Sequence, residues 1–311
     1  MMKQVKDYRI SNLRVFAILT VVLGHSIILY SSSWHLMPTH VSVPLLDTLK
    51  NIINTYQMEL YFFISGWCCY SSIIKSKNYQ SFLQSKIKRL IIPYLLFGLL
   101  WMLPIKLALN IPAYQNVSLV KIYLDYFLGF NNGHLWFLYA LFLIFVISWI
   151  INRMFIKLKW GGYLCLAFTF LMQILSNIAY ISIFNISAGM KYAFWFQAGL
   201  CIRQYGNKAI VPILMCVIGS ACFINAITPI ISLLIVIGLY FIVPNTHTRI
   251  TDSLDKNSFG VYLFHSPLIY ITYHYFGNAS PWLVVCINLF LWGSLSYILT
   301  DIIQRSKIKI L

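Results

Sequence analysis

Ten apolar stretches set what this chain can fold into. A helix needs about 20 apolar residues to cross the hydrocarbon of a bilayer. Segments at about 13–30, 51–72, 90–109, 134–152, 161–181, 188–204, 208–225, 227–244, 257–276 and 281–301 fit that measure. Backbone polar groups in lipid must be satisfied within their own segment, so such stretches form helices. The expected fold is therefore an all-α integral membrane protein with about ten transmembrane helices, one domain over residues 1–311. Charge scarcity agrees: 10% of residues are charged, against about 25% in a soluble domain. The first span, Leu13 to Tyr30, follows a basic N-terminus. It is too long for a signal-peptide core and lacks a small-x-small cleavage site, so it is expected to stay as a helix. The seven cysteines lie in or beside apolar stretches and form no C-x-x-C pair. They read as small core residues, with no disulfide framework and no metal site.

The net charge of +16 would suggest nucleic acid in a soluble protein. Here the basic residues sit between apolar spans, where they fix topology and meet anionic lipid headgroups; no nucleic-acid partner is expected. With the N-terminus in the cytoplasm, the inside receives Lys3, Lys6, Arg9 and Arg14, then Lys75, Lys77, Lys86, Lys88 and Arg89. It also receives Arg153, Lys157, Lys159, Arg203, Lys208, Arg249, Lys256, Arg305, Lys307 and Lys309. The outside receives only Lys50, Lys106, Lys121 and Lys191. That bias is the positive-inside pattern, and it places both termini in the cytoplasm. The longest loop, Leu109 to Gly133, falls outside and has room for a re-entrant or interfacial helix.

Ionisable groups inside a bilayer are costly and are functional candidates by default. Arg14 and His25 are 11 residues apart on the first helix. At about 100° per residue that is roughly three turns plus 20°, so both side chains share a face. The rise is roughly 16 Å, which puts His25 near mid-membrane when Arg14 sits at the cytoplasmic rim. Two readings stand side by side. One is a cytoplasmic channel with a cation at its mouth and a proton-transfer group at depth. The other is a snorkelling arginine and a core histidine bonded to a neighbouring helix. Glu59, the only glutamate of the chain, needs a partner or a proton at its depth. His25 or a buried arginine is the natural choice, and a carboxylate holding an imidazole fixes its tautomer. A structural contact between helices is the alternative. The loop carrying Lys75, Lys77, Lys86, Lys88 and Arg89 closes on Pro93-Tyr94. It serves as a topology anchor or as a phosphate cradle. The ninth segment places Ser258 and His265 on one face, and a second intramembrane histidine suits a proton or hydroxyl pathway. His134 and Trp136 are expected at the outer interface, where aromatic belts are common. His35, His40, His247 and His274 lie in loops or near helix ends and carry no reading.

These pieces, in this order, resemble the acyltransferase 3 family of bacterial membrane proteins. The resemblance rests on Arg14 and His25 at an Arg-x10-His spacing and on the acidic-Leu-aromatic-Phe-x-Ser-Gly string from Glu59 to Gly66. It rests also on Lys88-Arg89-Leu90-Ile91-Ile92-Pro93-Tyr94, on His134-Leu135-Trp136-Phe137-Leu138, and on Tyr262-Leu263-Phe264-His265 with Pro267. The wording from Lys88 to Tyr94 is similar to the fucose acetylase-like branch. Two positions depart from the family pattern. Lys86 stands where the family often has the first arginine of Arg-x-x-Arg, and lysine lacks the bidentate fork. Asn12 stands where an acidic residue often precedes the first-helix arginine, which removes an ion pair there.

The resemblance implies a multi-pass protein of the bacterial cytoplasmic membrane that moves acyl groups, commonly acetyl from acetyl-CoA, to sugar hydroxyls of surface polysaccharides. It implies His25 as the catalytic histidine, with Arg14 as its companion and Lys86, Lys88 and Arg89 meeting the CoA phosphates. Acyl-CoA is then a co-substrate rather than a resident cofactor, and the acceptor is a glycan or a lipid-linked sugar. Glu59 is the candidate that orients His25. Tyr262, His265 and Ser65 are candidates for stabilising an oxyanion, and Ser258 and Trp136 for substrate contact. A transporter or flippase of lipid-linked sugars is the alternative, although no inverted repeat is visible. A scaffold without activity is a third reading, and thioester consumption separates the enzyme from both.

Overall fold

The computed structural model describes residues 7–32, 41–75 and 78–306. Lys3, Lys6, His35, His40, Lys77, Lys307 and Lys309 lie outside the described residues, as does the side chain of Lys75. Among the described residues every regular element is helical. The main helices are α1 (Tyr8–Ser26), α2 (Pro44–Asn54), α3 (Gln57–Lys75) and α4 (Tyr79–Ala108). They continue with α5 (Leu119–Phe127), α6 (Trp136–Phe155), α7 (Gly161–Ile178) and α8 (Ile186–Tyr205). The last are α9 (Ile210–Ile224), α10 (Thr228–Ile242), α11 (Arg249–Phe276) and α12 (Pro281–Arg305).

Each of the ten apolar segments is largely helical, the second being split between α2 and α3, and the chain is a multi-pass membrane protein. Five helical stretches of the described residues are long and apolar enough to cross a membrane: Tyr79–Ala108, Gly133–Phe155, Gly161–Ile178, Ile183–Ile224 and Pro281–Arg305. The helices bearing Arg14 and His25, Glu59, and Asp255 and His265 are not among them. Those three carry their ionisable groups toward the bundle, while α4, α9 and α12 turn Leu100, Met215 and Phe290 outward.

Three boundaries differ from expectation. The segment expected at 51–72 is broken at Thr55–Tyr56 into α2 and α3. The Ser232 hydroxyl of α10 donates to the freed Thr55 carbonyl at this joint. The segment expected from residue 90 begins at Tyr79, so the basic string lies on a helix rather than in a loop. That helix widens into π turns at Ile87–Ile91 and Gly98–Met102, just ahead of Pro93 and Pro104. Proline has no N–H and crowds the preceding turn, and a wider turn relieves both problems. The ninth segment starts at Arg249 behind a Thr248–Thr251 capping box.

The loop after α4 contains α5, which exposes Leu119, Val120, Leu124 and Phe127 in the manner of an interfacial helix. Its Tyr126 points the other way, into the bundle, and stacks on Tyr94 with ring centroids 4.6 Å apart. Each hydroxyl donates to the other residue's carbonyl. Tyr94 closes the basic string, so this pair ties α5 to the π-widened part of α4.

Lipid offers helices no hydrophobic reason to associate, so close packing must do it. The tightest crossing is α3 on α8. A Cβ added at Gly66 would lie 1.8 Å from the Phe196 carbonyl oxygen, and one at Gly199 would lie 2.0 Å from that of Phe63. Each glycine admits the other helix's backbone. Gly189, also on α8, has nothing closer than 3.5 Å. Accordingly, Gly66→Ala and Gly199→Ala should each lower stability by about 1–3 kcal/mol. Gly189→Ala should leave it unchanged, and thermal unfolding in detergent compares the three.

Candidate active site

Two polar contacts clamp α1 to α11. Near their N-termini, Arg14 Nη1 donates to Asp255 Oδ1 at 2.5 Å. Further along, His25 Nδ1 and His265 Nε2 are 2.7 Å apart. The contacts are 11 residues apart on α1 and 10 on α11, so the helices run parallel in nearly constant register. Asn12 adds a third hold: its amide donates to the Pro244 and Thr246 carbonyls at 2.9 and 2.8 Å. Asn12 thus secures the entry to α11, and the ion pair missing at that position comes from Asp255 instead.

The hydrogen-bond pattern fixes the tautomers of the histidine pair. His265 Nδ1 lies 2.9 Å from the Val261 carbonyl oxygen and 3.0 Å from that of Tyr262. A carbonyl only accepts, so Nδ1 carries the hydrogen and the neutral ring keeps a lone pair on Nε2. That lone pair faces His25 Nδ1, which must therefore donate. The His25 lone pair is left on Nε2, as a general base requires. A proton gained at Nε2 would be stabilised through the same bond, because Nδ1–H donates more strongly from a charged ring.

His134 completes the cluster. Its ring centroid lies 6.4 Å from that of His25 and 5.7 Å from that of His265. Its Nε2 donates to the Leu263 carbonyl at 3.3 Å, and the Tyr262 hydroxyl donates to the His134 carbonyl. His134 and His265 are buried, whereas His25 is half-buried and is the most accessible of the three.

The other candidates are distributed as follows. Glu59 does not hold His25; His265 does. Glu59 Oε2 is buried without a hydrogen-bond partner, and the cation whose field reaches it is Lys191. A carboxylate is absent from the imidazole pair because α11 supplies a neutral acceptor with its tautomer already set. Arg14 is committed to Asp255 and also donates to Cys68 Sγ at 3.3 Å. Lys86 is buried between the rings of Phe145 and Phe82, 4.1 and 5.0 Å from its Nζ, and bonds Cys69 Sγ at 3.5 Å. It turns away from any phosphate, leaving Lys88 and Arg89 as the exposed cations of that string. The Tyr262 hydroxyl and both His265 nitrogens are occupied, so neither residue is free to stabilise an oxyanion. The Ser258 hydroxyl donates within its own helix to the Asp255 carbonyl at 2.8 Å. Ser65 is half-buried on α3, beside the Gly66 crossing.

Trp136 lines a cleft of about 480 Å³ together with Asn132, Asn185, Ser187, Lys191 and Tyr192. Its ring lies 5.7 Å from that of Tyr192, and the two form an aromatic wall of the cleft. Amides, hydroxyls and flat aromatic faces make a surface suited to sugars. Asn132 links the cleft to the cluster, standing two residues before His134, with its Nδ2 buried and unpartnered.

Sequence reasoning missed His134 as a cluster member and Asp255 as the partner of Arg14. His134 opened one of the motif strings, which was its available signal. Asp255 had the signal of its distance to His265, nearly that from Arg14 to His25.

A family model for the acyltransferase 3 domain, described as an acyltransferase domain, matches residues 7–301. No curated protein and no solved structure matches the chain.

The geometry predicts a graded chemical reactivity among the three histidines. Diethyl pyrocarbonate attacks an accessible imidazole lone pair, so His25 should be modified well before His134 and His265 when the sites are mapped by mass spectrometry. Equal rates at all three would contradict this arrangement.

Proposed function

Since the chain belongs to the acyltransferase 3 family, we propose that it transfers an acyl group, acetyl from acetyl-CoA, to a sugar hydroxyl. The acceptor is a cell-surface polysaccharide or its lipid-linked precursor. The protein would work in the bacterial cytoplasmic membrane, with ten spans and both termini in the cytoplasm. The observation that carries the chemistry is the directed chain from the Val261 carbonyl through His265 to His25, which leaves His25 Nε2 as base.

The acceptor hydroxyl gives its proton to His25 Nε2 as its oxygen bonds to the thioester carbonyl carbon. Charge on the ring is held by the Nδ1–H bond to His265. The tetrahedral intermediate then breaks its carbon–sulfur bond. The departing sulfur takes the proton back from His25 and leaves as the CoA thiol. Lys88 and Arg89 are exposed and suit the CoA phosphates. Arg14 contributes by holding α1 against α11. The cleft containing Trp136 and Tyr192 suits the glycan, because aromatic faces stack on sugar rings while amides and hydroxyls bond their hydroxyl groups.

Acyl-CoA thioester loss by purified protein is the test. Wild type should consume thioester, His25→Ala should lose essentially all turnover, and His265→Ala should lose about 10²- to 10⁴-fold. Both variants should still insert and fold, because Arg14 on Asp255 continues to hold α1 against α11. Full turnover by His25→Ala would refute the mechanism. Absence of both turnover and acyl-CoA binding in wild type would favour transport of a lipid-linked sugar.

A further inference from the structure

Two buried lysines flank the histidine cluster without a carboxylate. Lys50 on α2 is 3% exposed and Lys106 on α4 is 2% exposed. A Cβ built on Gly24, next to His25, would lie 3.2 Å from Lys50 Nζ; one on Gly133, next to His134, would lie 3.3 Å from Lys106 Nζ. Each ammonium therefore sits beside the residue that precedes a site histidine. A lysine near a membrane interface normally snorkels outward. On α2, Leu45 and Ile52 face outward and Lys50 faces in.

None of the seven acidic residues of the chain pairs with either lysine. Asp7, Asp255, Asp125 and Asp301 pair with Arg9, Arg14, Lys121 and Arg305. Asp252 pairs with His247, and Asp47 accepts from the Ser32 backbone at 2.8 Å. Glu59 Oε2 bonds nothing. Lys106 has only a 3.5 Å contact with the Tyr114 hydroxyl and the ring faces of Tyr270 and Tyr114, at 4.9 and 5.6 Å. Lys50 makes no hydrogen bond or ion pair among the described residues. Two desolvated ammonium groups without counter-charge are costly, and an anion arriving from outside the chain would offset that cost.

The position is far from the cations proposed for the donor phosphates. Lys106 lies 17 residues beyond Arg89 on the same helix, roughly 26 Å along its axis, close to the thickness of the hydrocarbon core. Lys50 meets the C-terminal end of α1, roughly 15 Å from Arg14. The two lysines thus face the opposite end of the bundle from the exposed Lys88 and Arg89.

We propose that Lys50 and Lys106 form a phosphate site for the acceptor, and that the acceptor is a lipid-linked sugar carrying its phosphate into this end of the site. The inference rests on the acyltransferase reading for the word acceptor, but the site itself does not. Two cations suit the two negative charges of a diphosphate that joins the sugar to its lipid, and their place beside the histidine cluster would bring that end of the acceptor to the site.

Ligand-induced thermal stabilisation tests it, with protein in nanodiscs and farnesyl phosphate, inorganic phosphate and CoA as separate probes at constant ionic strength. Wild type should respond to farnesyl phosphate at lower concentration than to inorganic phosphate. Lys50→Met and Lys106→Met should each raise the farnesyl phosphate concentration needed by about 10- to 100-fold and leave the CoA response unchanged. Lys50→Arg and Lys106→Arg keep the charge and should keep the response, which covers the case in which a methionine variant unfolds. An unchanged farnesyl phosphate response in the methionine variants overturns the site. Loss of the CoA response alongside it assigns the lysines to the donor and also overturns the proposal. Equal potency of inorganic and farnesyl phosphate overturns the lipid-linked source. A wild type that shows the lysine-dependent response without consuming thioester supports the site and refutes only acyl transfer.

Discussion

The hydrogen bond between His25 and His265 is the contact on which the site depends. It forms only because α1 and α11 run side by side in register, and that register is pinned by Arg14 on Asp255. One pair is ionic and near a helix entrance; the other is neutral and deep. This ordering suits a membrane, where charge is cheapest close to water and dearest at depth. The chain of donors ends on a backbone carbonyl already fixed by helix geometry, so the base needs no buried carboxylate to set its tautomer.

The surrounding helices divide the work according to hydropathy. The stretches apolar enough to cross a membrane by composition keep an apolar window with at most two charged residues, while α1, α3 and α11 carry Arg14 and His25, Glu59, and Asp255 and His265. Packing is then left to close backbone approach, as at Gly66 and Gly199, because lipid gives helices no hydrophobic drive to associate. The Glu59 to Gly66 string accordingly combines two functions. Its last glycine is a packing device, and its first residue faces the charge of a cleft-wall lysine.

Much of this was legible in the sequence. Hydropathy found helical sequence in each of the ten segments but not the break within the second, and helical spacing put Arg14 and His25 on one face, where both meet α11. What stayed hidden depended on which helix lies beside which. Glu59 looked like the natural partner of His25 because both are polar residues in early spans, but α11 occupies that position. The family resemblance implied Lys86 as a CoA-phosphate contact, although a lysine there lacks the bidentate fork. The π-widened helix instead turns it between Phe82 and Phe145 while Lys88 and Arg89 face out. The break between α2 and α3 has no strong sequence mark, since it involves a hydroxyl from α10. Lys50 and Lys106 counted only as outside charges, because their burial is a tertiary fact.

The claim most exposed to direct test is the tautomer of His25. Nitrogen-15 NMR of histidine-labelled protein, assigned with His25→Gln and His265→Gln, reads which ring nitrogen carries hydrogen. The account predicts that His25 and His265 in the neutral state are both protonated at Nδ1, with Nε2 bare on each ring and a hydrogen-bonded proton between the two side chains. A His25 ring protonated at Nε2 with a bare Nδ1 would contradict it, because the lone pair would then face His265 instead of the substrate.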